Sequence, residues 1–205
     1  MNHKYIQTAV LGLCLIAPLS IVAASTAQHE QEHVVATDAG NINFHFNKLV
    51  KSGLTAHAIH QIHQKDNILE LTDGSKWNTT KPDVVRGWEK NTHLVLTQNQ
   101  ATMSTHRFAL VNPELKLAIP VSLVSEPAPS KDKCLFIKEI DKANDLVTLN
   151  DNGRWIVHSS DTRALNKMAE NHRIIIGVNS GDDHDRCPYI LIDASNNSYV
   201  RARLI

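Results

Sequence analysis

The sequence predicts a mainly β protein in which two small barrel modules follow one another, and three observations lead to this prediction. The middle third of the 205-residue chain is repeated in its last third. Each copy is a series of short apolar runs separated by turn-forming pairs such as Asp-Gly and Asn-Gly. Beyond the N-terminal region, no apolar run approaches the ~20 residues that a membrane span needs.

The repeat is collinear over most of each copy. The run ILELTDGSKW, which ends at Trp77, aligns with LVTLNDNGRW, which ends at Trp155. After a short insertion, NTHLVL aligns with NHRIII, and after another, FALVN from Phe108 aligns with YILID from Tyr189. A series of matches in one order, with few short gaps, indicates an internal duplication.

The repeat sets the expected division of the chain. A signal peptide occupies residues 1–27, and a His-rich segment follows at 28–55. Module A covers 56–124 and module B covers 134–205. Between them, residues 125–133 form a linker with two prolines, which is typical of a semi-stiff spacer.

Each module is expected to contain five or six short strands and one helical turn, which favours a small SH3-like or OB-like barrel. Asp83 and Asp161 are predicted helix N-caps. The residues after Asp161 are strong helix formers, whereas Gly87 limits the first helix to a single turn. The later strands are predicted in equivalent pairs: 93–98 with 173–178, 107–112 with 188–193, and 116–124 with 198–205.

The N-terminus has the layout of a secretory signal. Lys4 provides a positive start, an apolar run covers residues 9–24, and Ser25 and Ala27 fit a cut after Ala27. A cut after Ala24 and an uncleaved anchor are the alternatives. Pro18 interrupts the run, which favours cleavage, so we expect a periplasmic or secreted protein with no remaining membrane span.

Outside the signal, the chain has two cysteines, Cys134 and Cys187, both in module B. The residues of module A that align with them are not cysteines. Because an exported chain enters an oxidising compartment, the two are predicted to form a structural disulfide. Free thiols or a redox site are the alternatives, although no CxxC spacing supports a redox site.

One motif suggests zinc chemistry. His29, Glu30 and His33 fit HExxH, in which two histidines on one helix face bind zinc and the glutamate acts as general base. The motif begins just after the predicted cut in a polar stretch, so a zinc metallopeptidase is the less favoured interpretation. A looser metal site for zinc or copper is an alternative, formed by His29 and His33 with His57, His60 and His63.

The aromatic residues that both copies share are expected to fill the barrel cores. The predicted structural positions of the repeat are Trp77, Trp155, Phe108, Tyr189, Asp83 and Asp161. Aromatic residues make up only 5% of the chain, which is too sparse for an obvious stacking surface. The 21 basic and 21 acidic residues balance, so no nucleic-acid partner is expected.

The DGSKW run that starts at Asp73 resembles small uncharacterised β domains of bacterial exported proteins, although the second copy departs from it with DNGRW. The resemblance implies no activity. The leading hypothesis is therefore an exported, non-enzymatic protein without a cofactor. Its paired modules would mediate interaction with a protein or another envelope component. Metal binding through the His-rich segment is the alternative.

Overall fold

The computed structural model describes residues 33–35, 42–44, 55–101, 104–128 and 134–205. The predicted signal peptide and most of the His-rich segment lie outside these ranges. Strand β1 (His33–Val35) pairs antiparallel with β2 (Ile42–Phe44). Within the described ranges, no helix is long and apolar enough to cross a membrane.

The fold is mainly β and contains a closed six-stranded antiparallel barrel. Strands β3, β4, β5, β8, β7 and β6 are hydrogen-bonded neighbours in that order, and β6 pairs again with β3 to close the ring. One helical turn, α1 (Pro82–Val85), follows β5. The strands are β3 (Ala56–His63), β4 (Ile68–Leu71), β5 (Lys76–Thr79), β6 (His93–Gln98), β7 (Phe108–Asn112) and β8 (Leu117–Ser125).

The remaining strands pair in the corresponding order. Strand β9 is followed by β10, β11, β14, β13 and β12, and β12 returns to β9. A 3₁₀ turn (Ser159–Asp161) leads into α2 (Thr162–Leu165). The strands are β9 (Leu135–Asp141), β10 (Leu146–Leu149), β11 (Arg154–Val157), β12 (Arg173–Val178), β13 (Tyr189–Asp193) and β14 (Ser198–Leu204).

The tight turns are made by residues with positive φ, and these turns occur in equivalent places in the two barrels. Asparagine, aspartate and glycine tolerate this conformation best, and seven of the eight positive-φ positions among the described residues carry one of them. In sequence order the first barrel has Asn67, Gly74, Asn91 and Lys116, and the second has Asp145, Asn152, Asn171 and Asn197. These four turns thus have a positive φ at equivalent places in both barrels.

The helical turns differ from the sequence-based expectation. Each helix is four residues long, a single turn in each barrel, but the N-capping differs from the prediction. Asp83 lies inside the first turn of α1, where Lys81 is the N-cap residue. Asp161 holds the N-cap position of α2 but makes no side-chain capping bond, because its carboxylate binds Arg201 instead. The predicted N-cap is therefore wrong for Asp83, whereas Asp161 is the N-cap residue of α2 without a side-chain capping bond.

The shared aromatic residues lie inside the barrels. Trp77, Phe108 and Trp155 are fully buried. The ring of Phe108 stands edge-on to Trp77 at 5.6 Å, and half-buried Tyr189 stands edge-on to Trp155 at 5.4 Å. Such edge-to-face pairs add to the burial of apolar surface in each core. Asp83, by contrast, is a surface residue.

The two barrels pack against each other through β6, β7, β12 and β13. Successive residues of a strand point to opposite faces, yet β7 is buried at every position and β6 and β12 at all but their first. One face is covered by the barrel's own interior and the other by the neighbouring barrel. Ile175, Ile190 and Ile192 accordingly belong to the same apolar cluster as the core of the first barrel.

Gly177 allows this close approach. A Cβ atom at this position would lie 2.7 Å from the carbonyl oxygen of Leu96 and 2.9 Å from Cγ1 of Ile190. Beside it, Val178 faces Thr97 in the parallel contact between β12 and β6. A side chain at residue 177 would therefore force the two barrels apart.

The first residues of the predicted linker are held by both barrels. The amide of Ala128 donates to the carbonyl of Asp73 at 3.0 Å. Arg173 donates to the carbonyl of Pro127 at 2.9 Å and pairs with Glu126 at 3.2 Å. Residues 126–128 thus form part of the packed structure.

Candidate binding cleft between the barrels

An open, polar cleft of about 570 Å³ lies where the two barrels meet. It is formed by the end of β6, the start of β14, the α2 region and the loop after β12. Its lining residues are Gln98, Asn99, Gln100, Arg107, Ser160, Asp161, Arg163, Ala164, Lys167, Gly181, Asn196, Ser198, Tyr199 and Arg201.

Hydrogen bonds between the barrels fix the floor of the cleft. The hydroxyl of Thr97 donates to the carbonyl of Val178 at 2.8 Å. The side chain of Gln98 donates to the Asn179 side chain and accepts from the amide of Ser180 at 3.2 Å. Because these groups come from both barrels and are largely buried, they hold the cleft in one arrangement.

Arg201 and Asp161 form the strongest polar contact in the cleft. Nε and Nη2 of Arg201 donate to the two carboxylate oxygens of Asp161 at 2.9 and 2.8 Å, and the backbone amide of Arg201 donates at 2.8 Å. Nη1 of Arg201 also donates to Asp183. This fork geometry suits a guanidinium between carboxylates and fixes β14 to the start of α2.

The partners of Asp161 also control its ionisation. Burial alone would raise the pKa of this carboxyl, but the hydrogen bonds and positive charge of Arg201 outweigh burial and hold the pKa below its ordinary value of 3.8. The same pair raises the pKa of Arg201. Both groups are therefore charged at neutral pH.

The cleft has an excess of positive charge. Four cationic side chains line it, Arg107, Arg163, Lys167 and Arg201, against the single carboxylate of Asp161. Arg163 and Lys167 are exposed, and neither has a carboxylate partner within the described part of the chain. Arg107 donates one bond, to the carbonyl of Asn197 at 2.7 Å. Several cationic hydrogen-bond donors thus remain available to a ligand.

Two of the neutral amides in the cleft are already engaged. Asn99 donates to the carbonyl of His106 at 2.9 Å and accepts from the amide of Ala101 at 3.0 Å. The amide group of Asn196 donates to Asp193 at 2.7 Å. These side chains shape the walls, and the donors that remain for a ligand are mainly cationic.

The histidines considered as metal ligands make other contacts. Nε2 of His57 lies 2.8 Å from the carbonyl oxygen of Ile176, which makes the histidine the donor. His63 lies 3.2 Å from the carboxylate of Glu70. Within the described residues, no group of three potential ligands is placed to hold a metal ion. His29 and Glu30 lie outside the described ranges, and His33 is described only as the first residue of β1.

The predicted disulfide is not formed, and both cysteines are free. Leu135, next to Cys134, is paired with Ile174 on one side of β12, and Tyr189, two residues after Cys187, is paired with Val178 on the other. Four residues of strand separate these pairing points by about 13 Å. A disulfide requires Cα atoms within about 7 Å, so the two cysteines are too far apart to bond. The disulfide predicted from the oxidising compartment is therefore absent from the structure.

The environment of each thiol favours the protonated form. Burial is the main cause that raises the pKa of both Cys134 and Cys187 above 9.0. Asp73 and Glu126 add to the effect at Cys134, while Arg173 opposes it. A thiol that stays protonated is a poor nucleophile, so neither cysteine has the character of a reactive site.

The cleft residues were not identified from the sequence. A search for residues that the two copies share finds turn and core residues. The cleft, however, is lined by residues that differ between the copies. Arg201 aligns with Pro120, and Lys167 aligns with Gly87. Arg163 holds the second position of α2, which Asp83 holds in α1. Cations present in the second copy and absent from the first were the available signal.

No protein-family model matches the chain. No curated protein matches it. No solved structure matches it either.

Proposed function

We propose that this protein is exported and has no catalytic activity, and that it binds an anionic component of the cell envelope in the cleft between its barrels. The cluster of Arg107, Arg163 and Lys167 carries the proposal, because these cations lack carboxylate partners in the described part of the chain. Exposed unpaired cations that line one cleft attract an anionic partner and steer its approach.

The proposal treats the two barrels as duplicated SH3-like or OB-like modules, exported by the signal at residues 1–27. Equivalent positive-φ turns support a common origin, such as Asn67 with Asp145 and Gly74 with Asn152. The shared residues serve the fold in both modules. The binding surface would then have arisen at the junction, which a single module does not possess.

A sedimentation assay tests this proposal. The protein is expressed from the full chain and incubated with the envelope fraction of the producing cell at about 0.1 M salt, where charges interact over about 10 Å. We expect the wild type to sediment with the envelope. The double variant Arg163→Ala/Lys167→Ala should remain in the supernatant.

The matched control is Lys65→Ala/Lys90→Ala. It removes the same charge from two exposed lysines of the first barrel that do not line the cleft. We expect this variant to sediment like the wild type. Equal sedimentation of the cleft variant and the control would show that the cleft is not the binding surface.

A further inference from the structure

Resting on the proposed function, we infer that the occupant of the cleft is an extended acidic segment of a partner protein, with carboxylates on alternate residues. The spacing of the free cations, the polar character of the lining and the closed barrels lead to this inference.

The spacing is set by the α2 region. After α2 the helical path continues, because the amide of Asn166 donates to Thr162 at 2.9 Å and that of Lys167 donates to Ala164 at 3.0 Å. Arg163 and Lys167 are therefore one helical turn apart, with Cβ atoms about 5–6 Å from each other. Alternate residues of an extended chain are about 6.5 Å apart. Carboxylates at those positions can meet both cations at once.

The first barrel offers a third contact. Arg107 lies on the first barrel just before β7, and only one of its donors is used, by the Asn197 carbonyl. Its remaining N–H groups can bind a further carboxylate of the same segment. Arg201 adds positive charge between the walls but is committed to Asp161 and Asp183.

The form of the cleft excludes the other common ways of binding a peptide. Strand addition needs an open sheet edge, and β6 and β14 are each paired on both sides. An amphipathic helix or a proline-rich segment needs an apolar or aromatic groove, and the aromatic residue that lines this cleft is Tyr199. Recognition must therefore come from side-chain charges along an extended chain.

A peptide with glutamate alternating with serine tests the inference. Its affinity for the full-chain protein is measured by fluorescence anisotropy at about 0.1 M salt. Against the wild type, we expect Arg163→Ala/Lys167→Ala to weaken binding by about tenfold or more. Lys65→Ala/Lys90→Ala should stay within about twofold. A glutamine-serine peptide should not bind.

A peptide with the same number of glutamates but two serines between successive glutamates tests the spacing, since none of its carboxylates stand on alternate residues. We expect it to bind several-fold more weakly than the alternating peptide. Equal affinity of the two peptides would overturn the alternate-residue assignment. Equal binding of the alternating peptide to the cleft variant and the wild type would overturn the peptide assignment.

Two further probes separate the peptide from other anions. Oligomers of polygalacturonate and vesicles with anionic lipid should bind more weakly than the alternating peptide. Tighter, cleft-dependent binding of either would assign the site to a glycan or to a membrane surface and overturn the inference. Envelope sedimentation that still depends on Arg163 and Lys167 would then leave the proposed function standing, so the two failures are distinguishable.

Discussion

The two barrels share their strand order, their left-handed turns and a fully buried tryptophan, yet they differ in the contacts around equivalent residues. Trp77 Nε1 donates to Ser75 at 2.9 Å, and the Ser75 hydroxyl donates to Asp73 at 2.6 Å. In the second barrel Gly153 replaces Ser75. Trp155 Nε1 is buried there without a hydrogen-bond partner in the described structure. The second barrel therefore lacks an internal hydrogen bond that the first barrel has.

The helical turns show the opposite trend. In the first barrel Asp83 pairs with Arg86 at the surface, where both side chains are more than 60% exposed. In the second barrel Asp161 is held by Arg201 inside the cleft, with side-chain exposures of 17% and 23%. The second barrel thus lacks a polar contact that the first barrel has in its core, and it holds a charged network at the junction.

The largest loss of stability is expected from Gly177→Ala. The added methyl would lie within 3.0 Å of Leu96 and Ile190, and such overpacking costs about 3 kcal/mol of unfolding free energy. Gly87→Ala is the matched control, since its Cβ would meet nothing within 4 Å. Urea unfolding measures both. A Gly177→Ala variant as stable as the control would contradict the close packing of the barrels.

A smaller loss is expected from Asp161→Asn, about 2 kcal/mol at neutral pH, because charged hydrogen bonds to Arg201 are removed. Since the folded-state pKa of Asp161 is depressed, its contribution is present above its ordinary pKa and is lost as pH falls through the folded value. The stability difference between variant and wild type should therefore shrink below about pH 4.

Asp83→Asn is the control for this measurement. Its exposed pair with Arg86 is expected to contribute less than about 0.5 kcal/mol. Chemical unfolding of both variants across the acid range gives the comparison. A pH-independent difference for Asp161→Asn would show that its carboxylate charge is not what stabilises β14.

The smallest changes in stability are expected from substitutions at Ser75 and Gly153, the residues that decide whether each tryptophan has a hydrogen-bond partner. Ser75→Ala leaves Trp77 Nε1 buried and unpaired, and should cost about 1–1.5 kcal/mol. The Cβ of Gly153→Ser would lie 3.0 Å from Asp151 Oδ1 and 3.2 Å from Trp155 Nε1, and its hydroxyl should make this variant about 0.5–1 kcal/mol more stable than Gly153→Ala, which has the same close contacts. Gly153→Ala, which adds the carbon without the hydroxyl, is the control in thermal unfolding. If Gly153→Ser is no more stable than Gly153→Ala, a missing hydrogen bond to Trp155 Nε1 does not lower the stability of the second barrel.

Periodicity and turn chemistry identified most of the fold. Strands predicted at 93–98 and 173–178 have the observed bounds of β6 and β12, because β-branched and leucine runs between turn residues are a local signal. The N-cap predicted at Asp83 was wrong, since α1 begins at Pro82 and Asp83 lies inside its first turn.

The candidate site was less accessible to sequence reasoning. The cleft joins Gln98 and Arg107 of one barrel to Arg163 and Arg201 of the other, residues that are far apart in the chain. Their proximity follows from how the barrels dock, which no local pattern encodes. The disulfide prediction failed for the same reason, because both cysteines are free. An oxidising compartment and a pair of cysteines do not determine that the two thiols lie near opposite ends of β12.

The most direct test of the account is charge reversal in the cleft. Arg163→Glu/Lys167→Glu is compared with Lys65→Glu/Lys90→Glu for sedimentation with the envelope fraction, after circular dichroism has shown that both variants are folded. The account predicts that the cleft variant loses envelope binding altogether while the surface variant retains it. Equal binding by both variants would contradict the claim that the cleft between the barrels is where this protein meets its partner.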